Sequence, residues 1–286
     1  MKITKSRFLI SPSDLNNFVA CKFTIKNEIN FHNKEISKSE ETVNDKLWKK
    51  MGIEHEKKYF QILKDKYKKS ISIKSDLDEK NRFDETLRAM EKGYELIYHA
   101  YLIDGELRGE ADFLIKCSTP SKFGDYSYEV YDTKITRNLR PRHLTQITAY
   151  SDMVGKIQKV LPDKMYLIDG SDEEHSFKTI EYIDLFNHGK KEFLKFLSNV
   201  NKEKIYPEKC SYCNLCDWRD VCDKIWEDDN YVNLVAGSNK SQIEKLKKNK
   251  VKTVEQLAKT KLLATDLKIN TESFDKIKSQ AQLQEE

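Results

Sequence analysis

The chain has 286 residues, 34% of them charged, with 51 lysines and arginines against 47 aspartates and glutamates and a net charge of +4. That length allows one or two domains with enough chain to bury a core, and the charge surplus is too small to prove a nucleic-acid partner by itself. No apolar run approaches the roughly 18 to 20 residues of a membrane span, and no charged-then-apolar leader opens the chain, so a cytoplasmic protein with no membrane association is expected. In a reducing compartment, four cysteines between Cys210 and Cys222 suggest a metal rather than disulfides.

Ser11-Pro12-Ser13-Asp14 reads as a helix start, with Ser11 as N-cap and Asp14 in the capping-box position. Cys21 lies in that helix or at its end, where a lone cysteine is usually a small buried hydrophobe. Residues 30 to 42 are polar and read as a loop. A long helix is expected over about residues 43 to 68, with Leu47, Met51, His55, Tyr59 and Ile62 or Leu63 at helical spacing. Taken alone, His55 on that stripe reads as a core histidine. Gly52 costs about 1 kcal/mol against alanine inside a helix, so it calls for a close neighbour or a ligand, and a metal site beside the helix would supply one.

A short helix near 82 to 93 precedes strand-like runs at about 95 to 103, 106 to 116 and 127 to 135, with Asp104-Gly105 as the hairpin turn between the first two. On the second run the period of two places Glu110 and Asp112 on one face, opposite Ala111, Phe113 and Ile115. On the third it places Val130, Asp132 and Lys134 together and turns Glu129 away from Asp132. Residues 118 to 126 connect these runs. Pro141 opens a helix to about residue 158, in which Gln146 and Tyr150 share a face. Strands near 163 to 169 and 175 to 183 follow, and then a helix from about 185 to 200 packing Leu185, Phe186, Phe193, Leu194 and Leu197. The order implies an α/β fold, a central mixed sheet flanked by helices, with the strand carboxylates near the sheet centre.

Mg²⁺ typically takes one or two protein carboxylates plus phosphate and water oxygens, a need that Asp112 and Asp132 fit. A lysine two residues from a metal-binding aspartate can hold the attacking water and offset charge on a phosphate. Asp-x-Lys alone also fits an exposed ion pair. Arg137, Arg140 and Arg142, three of only eight arginines, follow Lys134 and suit either phosphate contacts or a solvated connection.

The series Gly52-x-x-His55-Glu56, Gly109-x-x-Asp112, Asp132-x-Lys134 and Gln146-x-x-x-Tyr150 resembles the motifs of RecB-family nucleases in the PD-(D/E)XK superfamily. The resemblance implies a PD-(D/E)XK (restriction-endonuclease-like) core. It implies Mg²⁺ or Mn²⁺ held by Asp112 and Asp132 with His55 and the Thr133 carbonyl, a water oriented by Lys134, and a site supported by Gln146 and Tyr150.

Four thiolates within Cys210 to Cys222 could bind zinc, yet three close cysteines plus one lie nearer to iron–sulfur spacing. A branch of RecB-like nucleases, including the AddB type and CRISPR-associated exonucleases, has one cysteine before the nuclease core and three after it. Cys21 and Cys213-x-x-Cys216-x5-Cys222 resemble that set and would hold a [4Fe-4S] cluster stapling the two ends of the core, with zinc as the alternative metal and Cys210 as the alternative fourth ligand. Cys117 is expected to be structural.

Beyond the cysteines, helices of about Lys240 to Lys248 and Val254 to Lys259 resemble a helix-hairpin-helix-like module that could hold a nucleic-acid backbone, or else form a packed cap. Similar RecB-like nucleases continue into a ribonuclease-H-like or helicase region, so the chain is expected to be a stand-alone form or part of a longer protein. The expected organisation is a nuclease domain over 1–205, a cysteine-cluster segment over 206–230 and a helical module over 231–286. The expected function is hydrolysis of DNA, single-stranded or with free ends, by an exonuclease of repair or defence, alongside a helicase or other repair and defence proteins. A non-catalytic DNA-binding or scaffolding subunit, or a zinc-bound RNA-processing factor, is the rival reading.

Overall fold

The apolar runs after residue 95 fold into an antiparallel meander of β4 (Leu96–Asp104), β5 (Leu107–Cys117) and β6 (Ser127–Thr133), the middle of a six-stranded mixed sheet. The short β3 (Ser70–Ser72) lies parallel to β4 at one edge. At the other, β7 (Lys164–Ile168) lies parallel to β6 and is followed by antiparallel β8 (Glu174–Lys178). Two small strands, β1 (Lys2–Ile3) and β2 (Phe8–Leu9), pair separately. The computed structural model describes residues 1–4 and 7–286, which divide into one unit of residues 1–19 and 41–203 and another of residues 20–40 and 204–286.

In the first unit, helix α1 (Pro12–Ala20) begins as expected: Asp14 Oδ2 accepts the Ser11 backbone N–H at 2.8 Å, and the Asp14 N–H donates to Ser11 Oγ at 3.2 Å. Helix α3 (Val43–Lys66) starts at a second capping box, between Thr42 and Asp45. Only its C-terminal half covers the sheet. Tyr59 and Leu63 pack on Leu96, Tyr98, Phe113, Ile115, Tyr131 and Ile168, whereas Leu47 and Met51, expected on the buried stripe, are exposed. Helix α4 (Glu79–Glu91) packs beside β4.

Helix α5 (Pro141–Gln158) crosses over between the parallel strands β6 and β7 and buries Ile147, Met153 and Val154. Its last residue locks it to the sheet: Gln158 Oε1 accepts the Tyr128 N–H at 2.8 Å, and Gln158 Nε2 donates to the Tyr128 carbonyl at 3.2 Å. Such a satisfied buried amide fixes the distance between helix and strand. Helix α6 (Ile183–Asn199) sets Phe193 against Phe18 with ring centroids 4.8 Å apart, but Leu185 faces solvent rather than the core.

The hairpin turn sits one residue later than the sequence suggests. Asp104 pairs with Leu107, so the two loop residues are Gly105 and Glu106, and only Gly105 takes a positive φ, 60°. That is the pattern of a type II′ turn. Asp104 is thereby kept on the strand, where its Oδ2 accepts from Lys156 (2.6 Å) on α5 and Lys190 (3.0 Å) on α6.

In the second unit the sequence reading missed three helices: α2 (Lys22–His32), α7 (Arg219–Asp228) and α10 (Thr271–Gln284). The two helices expected near the C-terminus are present as α8 (Lys240–Lys248) and α9 (Val254–Lys259). Their Ile243, Leu246, Val254 and Leu257 share one core with Phe274, Ile277 and Ala281 of α10. Residues 206–230 and 231–286 both lie in this unit.

Burial pushes the Asp104 carboxyl up, but Lys156 and Lys190 outweigh it and hold the carboxyl below its ordinary value. Asp104→Asn should therefore lower the melting temperature at pH 7 by about 2 to 4 °C, the effect of roughly 1 kcal/mol after solvent screening. Because the folded pKa is depressed, this contribution is present above the ordinary value of about 3.9 and is lost as pH falls through the lower folded value. Melting temperatures of the two proteins should converge as the pH falls below that lower folded value.

Candidate metal centre

The strands that carry the expected carboxylates separate where those residues occur. The β5–β6 ladder runs from Cys117–Ser127 to Phe113–Tyr131, and the next residue on each strand is an aspartate, Asp112 and Asp132. Asp112 Oδ2 takes over from the ladder by accepting the Thr133 backbone N–H and hydroxyl, each at 2.8 Å. Asp132 is fully buried, with its Oδ2 against the Lys134 ammonium. From α5, Gln146 Nε2 lies 3.4 Å from Asp132 Oδ1 and 3.4 Å from the Tyr150 hydroxyl.

Gly109 makes room for this arrangement. A Cβ there would stand 2.8 Å from Tyr150 Cε1 and 3.3 Å from Pro12 Cδ, closer than packed carbon atoms come. The structure therefore brings together Asp112, Asp132, Thr133, Lys134, Gln146 and Tyr150. Glu129 lies elsewhere, its Oε1 accepting the Lys164 N–H at 3.1 Å.

On the neighbouring strand, His99 stands between the ladder pairs Tyr98–Phe113 and Ala100–Ala111, hence across from Asp112, with a left-handed φ of 57°. A non-glycine residue there stores of order 1–3 kcal/mol of strain. Its Nε2 meets Glu56 Oε1 at 2.6 Å, and its ring lies against that of Tyr98, tilted by 30° with centroids 3.8 Å apart. Glu56 and His99 were missed as candidate site residues. The only sequence signals are the position of Glu56 beside His55 and the histidine that interrupts the apolar run Leu96 to Ile103.

Burial and the Asp132 charge push Asp112 up to about 8, and burial likewise raises Asp132. Burial would depress the Lys134 ammonium, but Asp132 and Asp112 outweigh it and hold it above the ordinary lysine value. Burial also works against ionised Glu56, yet His99 and Tyr98 hold that carboxyl low, and its charge is felt at Asp112, Asp132 and Lys134. With all three carboxyls ionised, they would exceed the one ammonium by two charges, which a divalent cation would neutralise.

His55 precedes Glu56 on α3. Its Nδ1 lies 3.6 Å from Asp172 Oδ1, while its Nε2 is buried with no hydrogen-bond partner. Metal-ligating histidines commonly turn one ring nitrogen to a carboxylate and leave the other for the metal. The unpartnered His55 Nε2 and the oxygens of Asp112 and Asp132 are donors of the kind a divalent metal takes, although among the described residues no three donor atoms of His55, Glu56, Asp112 and Asp132 lie within 4.8 Å of one another. Gly52 has no close neighbour: nothing lies within 4 Å of where its Cβ would be.

A family model described as the PD-(D/E)XK nuclease superfamily matches residues 30–223. The chain belongs to the PD-(D/E)XK nuclease superfamily. A search of curated proteins returned no match. PD-(D/E)XK nucleases use divalent metals such as Mg²⁺ or Mn²⁺, in keeping with the hard oxygen donors of Asp112 and Asp132. Among the described residues, Asp169, Glu173 and His175 at the β7–β8 turn also place their donor atoms within 4.8 Å of one another. Asp169 is largely satisfied, however: its Oδ1 accepts the Ser171 and Glu173 N–H groups and its Oδ2 meets His175 Nε2 at 3.0 Å. No helix of this PD-(D/E)XK chain is long and apolar enough to cross a membrane among the described residues.

The second unit gathers the cysteines. Cys21 is the extended residue before α2, Cys213 opens a short helical turn, Cys216 is buried and Cys222 lies in α7. Together with Cys210 they line a cavity of about 220 Å³. None forms a disulfide. Cys210 Sγ lies 3.8 Å from Cys213 Sγ, and the Thr24 hydroxyl lies 3.8 Å from Cys216 Sγ. Burial raises Cys213 to about 11 and Cys222 to about 12; the Cys21 thiol adds to the rise at Cys213, Cys216 and Cys222, whereas Cys210 acts on Cys213. Cys117 is apart from them, 3.0 Å from Ser127 Oγ.

Lys134→Ala leaves Asp112 and Asp132 without their counter-charge, and breaking a buried pair typically costs about 3–5 kcal/mol. The variant should melt well below the parent in chelator at pH 8. Mn²⁺ should raise its melting temperature more than the parent's, because the cation replaces the missing charge. Equal melting temperatures in chelator would show that the lysine does not compensate these carboxylates.

Proposed function

We propose that this PD-(D/E)XK chain is a RecB-like, divalent-metal-dependent nuclease that hydrolyses DNA phosphodiester bonds, acting as an exonuclease on single-stranded or free-ended DNA in repair or defence, alongside a helicase or other repair and defence proteins. The observation that carries this reading is the buried Asp112–Asp132–Lys134 group at the point where β5 and β6 part.

Asp112 and Asp132 would hold the cation, with Glu56, His55 and the Thr133 carbonyl as the remaining protein donors. Mg²⁺ or Mn²⁺, when bound, polarises the scissile phosphate and makes its bound water more acidic. Lys134, kept charged by Asp132, donates hydrogen bonds to the attacking water and to the phosphate oxygen on which charge develops. Gln146 orients Asp132 and is itself steadied by Tyr150. Arg137, Arg140 and Arg142 offer guanidinium groups to flanking phosphates.

The same reading assigns a [4Fe-4S] cluster to Cys21, Cys213, Cys216 and Cys222. Its support is that all four residues line one cavity of about 220 Å³, with zinc as the alternative metal. Cys210, which also lines the cavity and lies 3.8 Å from Cys213 Sγ, is the alternative fourth ligand.

With end-labelled single-stranded DNA and Mn²⁺, the parent should release short products. Asp132→Asn, Lys134→Ala and Glu56→Gln should each cut at least about a hundredfold more slowly. Undiminished cutting by Asp132→Asn would overturn the site, and release of mid-chain fragments from circular DNA would replace exonuclease by endonuclease action.

Anaerobically purified protein should be brown, with the broad thiolate-to-iron absorption that closed-shell zinc lacks. Cys21→Ser and Cys216→Ser should bleach it, while Cys210→Ser keeps the colour. Colourless protein with stoichiometric zinc would sink the cluster, and a brown Cys21→Ser beside a bleached Cys210→Ser would exchange the fourth ligand.

A further inference from the structure

Two buried side-chain donors of the second unit have no acceptor in the protein. Asn27 Nδ2 and Trp218 Nε1 make no hydrogen bond, although each residue is only 1% exposed. Leaving a buried donor unpaired costs about 1–3 kcal/mol, and native proteins keep few of them. Both residues line the cavity that the cysteines share. Asn27 reaches it from α2, where Cys21 at the N-cap, Thr24 and Asn27 are spaced by three and so share one edge of the helix. Thr24, also buried, holds its hydroxyl 3.8 Å from Cys216 Sγ. Trp218 comes from the C-terminal segment, two residues after Cys216 and at the N-cap of α7. Its ring packs against Phe31 of α2 with centroids 5.7 Å apart.

We propose that Asn27 Nδ2 and Trp218 Nε1 donate N–H···S hydrogen bonds to the metal centre of the cysteine cavity, as positioning residues that tune its reduction potential and its hold on the metal. A thiol sulfur is a weak acceptor, but a metal-bound thiolate or an inorganic sulfide carries negative charge and accepts well. Four thiolates outweigh the positive charge of either Zn²⁺ or a [4Fe-4S]²⁺ core. Two neutral donors inside a buried cavity offset part of that excess without bringing in a counter-ion. Adding an electron makes the sulfurs more negative still, so each donor favours the reduced state. The choice of an iron–sulfur cluster rests on the reading above, whereas the role of the two donors needs only a metal bound through these thiolates.

The test uses protein purified anaerobically with its metal in place. Asn27→Leu and Trp218→Phe keep an apolar side chain at each position and remove the N–H. Each is titrated with dithionite while the visible absorption and the electron paramagnetic resonance of the coloured fraction are followed. In each variant the equilibrium constant for reduction should fall about tenfold, which is about 59 mV for a one-electron couple. Each should also hold its metal about tenfold more weakly against a chelator. Asn233, an unpartnered buried amide of the same unit that is not among the walls of the cavity, supplies the control. Asn233→Leu should keep the parent's potential and metal retention.

Unchanged potential and metal retention in Asn27→Leu and Trp218→Phe, or an equal change in Asn233→Leu, would overturn the donor role even if the parent is brown. A lower melting temperature and a smaller coloured fraction, with the parent's potential in what remains, would mark the two residues as packing alone and overturn it as well. A colourless parent holding zinc would remove the cluster reading. Tenfold weaker zinc retention confined to the two cavity variants would then keep the donors. A parent that holds neither metal would overturn both.

Discussion

Burying an ammonium beside two carboxylates is the constraint on which the rest of the first unit depends. Charges removed from water must be compensated locally, and here Lys134 answers Asp132 and Asp112. The arrangement costs stability unless its members are held in place. β6 supplies Asp132, Thr133 and Lys134 in sequence, β5 supplies Asp112, and Gln158 pins α5 to Tyr128 so that Gln146 and Tyr150 reach the same point. The negative charge of these carboxylates, held in place by the lysine, is what a divalent cation would share.

The end of the β5–β6 ladder is what makes that site accessible. Two strands that kept pairing would spend the backbone groups near Asp112 and Asp132 on each other. They part after Phe113 and Tyr131, and Asp112 instead accepts two hydrogen bonds from Thr133. The strain at His99 belongs to the same region, where its positive φ directs the imidazole to Glu56 and so ties α3 to the sheet beside the carboxylates. One helix thus has two environments: a C-terminal half that seals the sheet with Tyr59 and Leu63, and an N-terminal half that faces solvent with lysines.

The second unit is assembled from segments remote in sequence. Residues 20–40 join residues 204–286, tied by the Ser39 N–H to the Asp217 carbonyl at 2.7 Å, by Lys38 to Asp217 at 2.8 Å and by Phe31 against Trp218. Trp226 donates to the Pro207 carbonyl at 2.9 Å, which anchors α7 and with it Cys222. Cys21 and the later cysteines consequently line one cavity.

The sequence alone determined the strands that carry Asp112 and Asp132, the face shared by Gln146 and Tyr150, the capped start at Ser11 and both C-terminal helices α8 and α9. Each of these depends on local pattern: strand alternation, helical spacing, or a cap within three residues. It placed the hairpin turn one residue early, because Asp104-Gly105 and Gly105-Glu106 are both acceptable turn pairs and only the pairing of Asp104 with Leu107 separates them. It took Leu47, Met51 and Leu185 for core, since an apolar residue at helical spacing does not reveal whether a neighbour covers it. The contributions of Glu56 and His99 emerged only from the tertiary structure, because a contact between residues 43 positions apart leaves no periodic trace in the chain. The same holds for the union of residues 20–40 with the C-terminal segment, where long-range packing, not local propensity, decides which thiols meet.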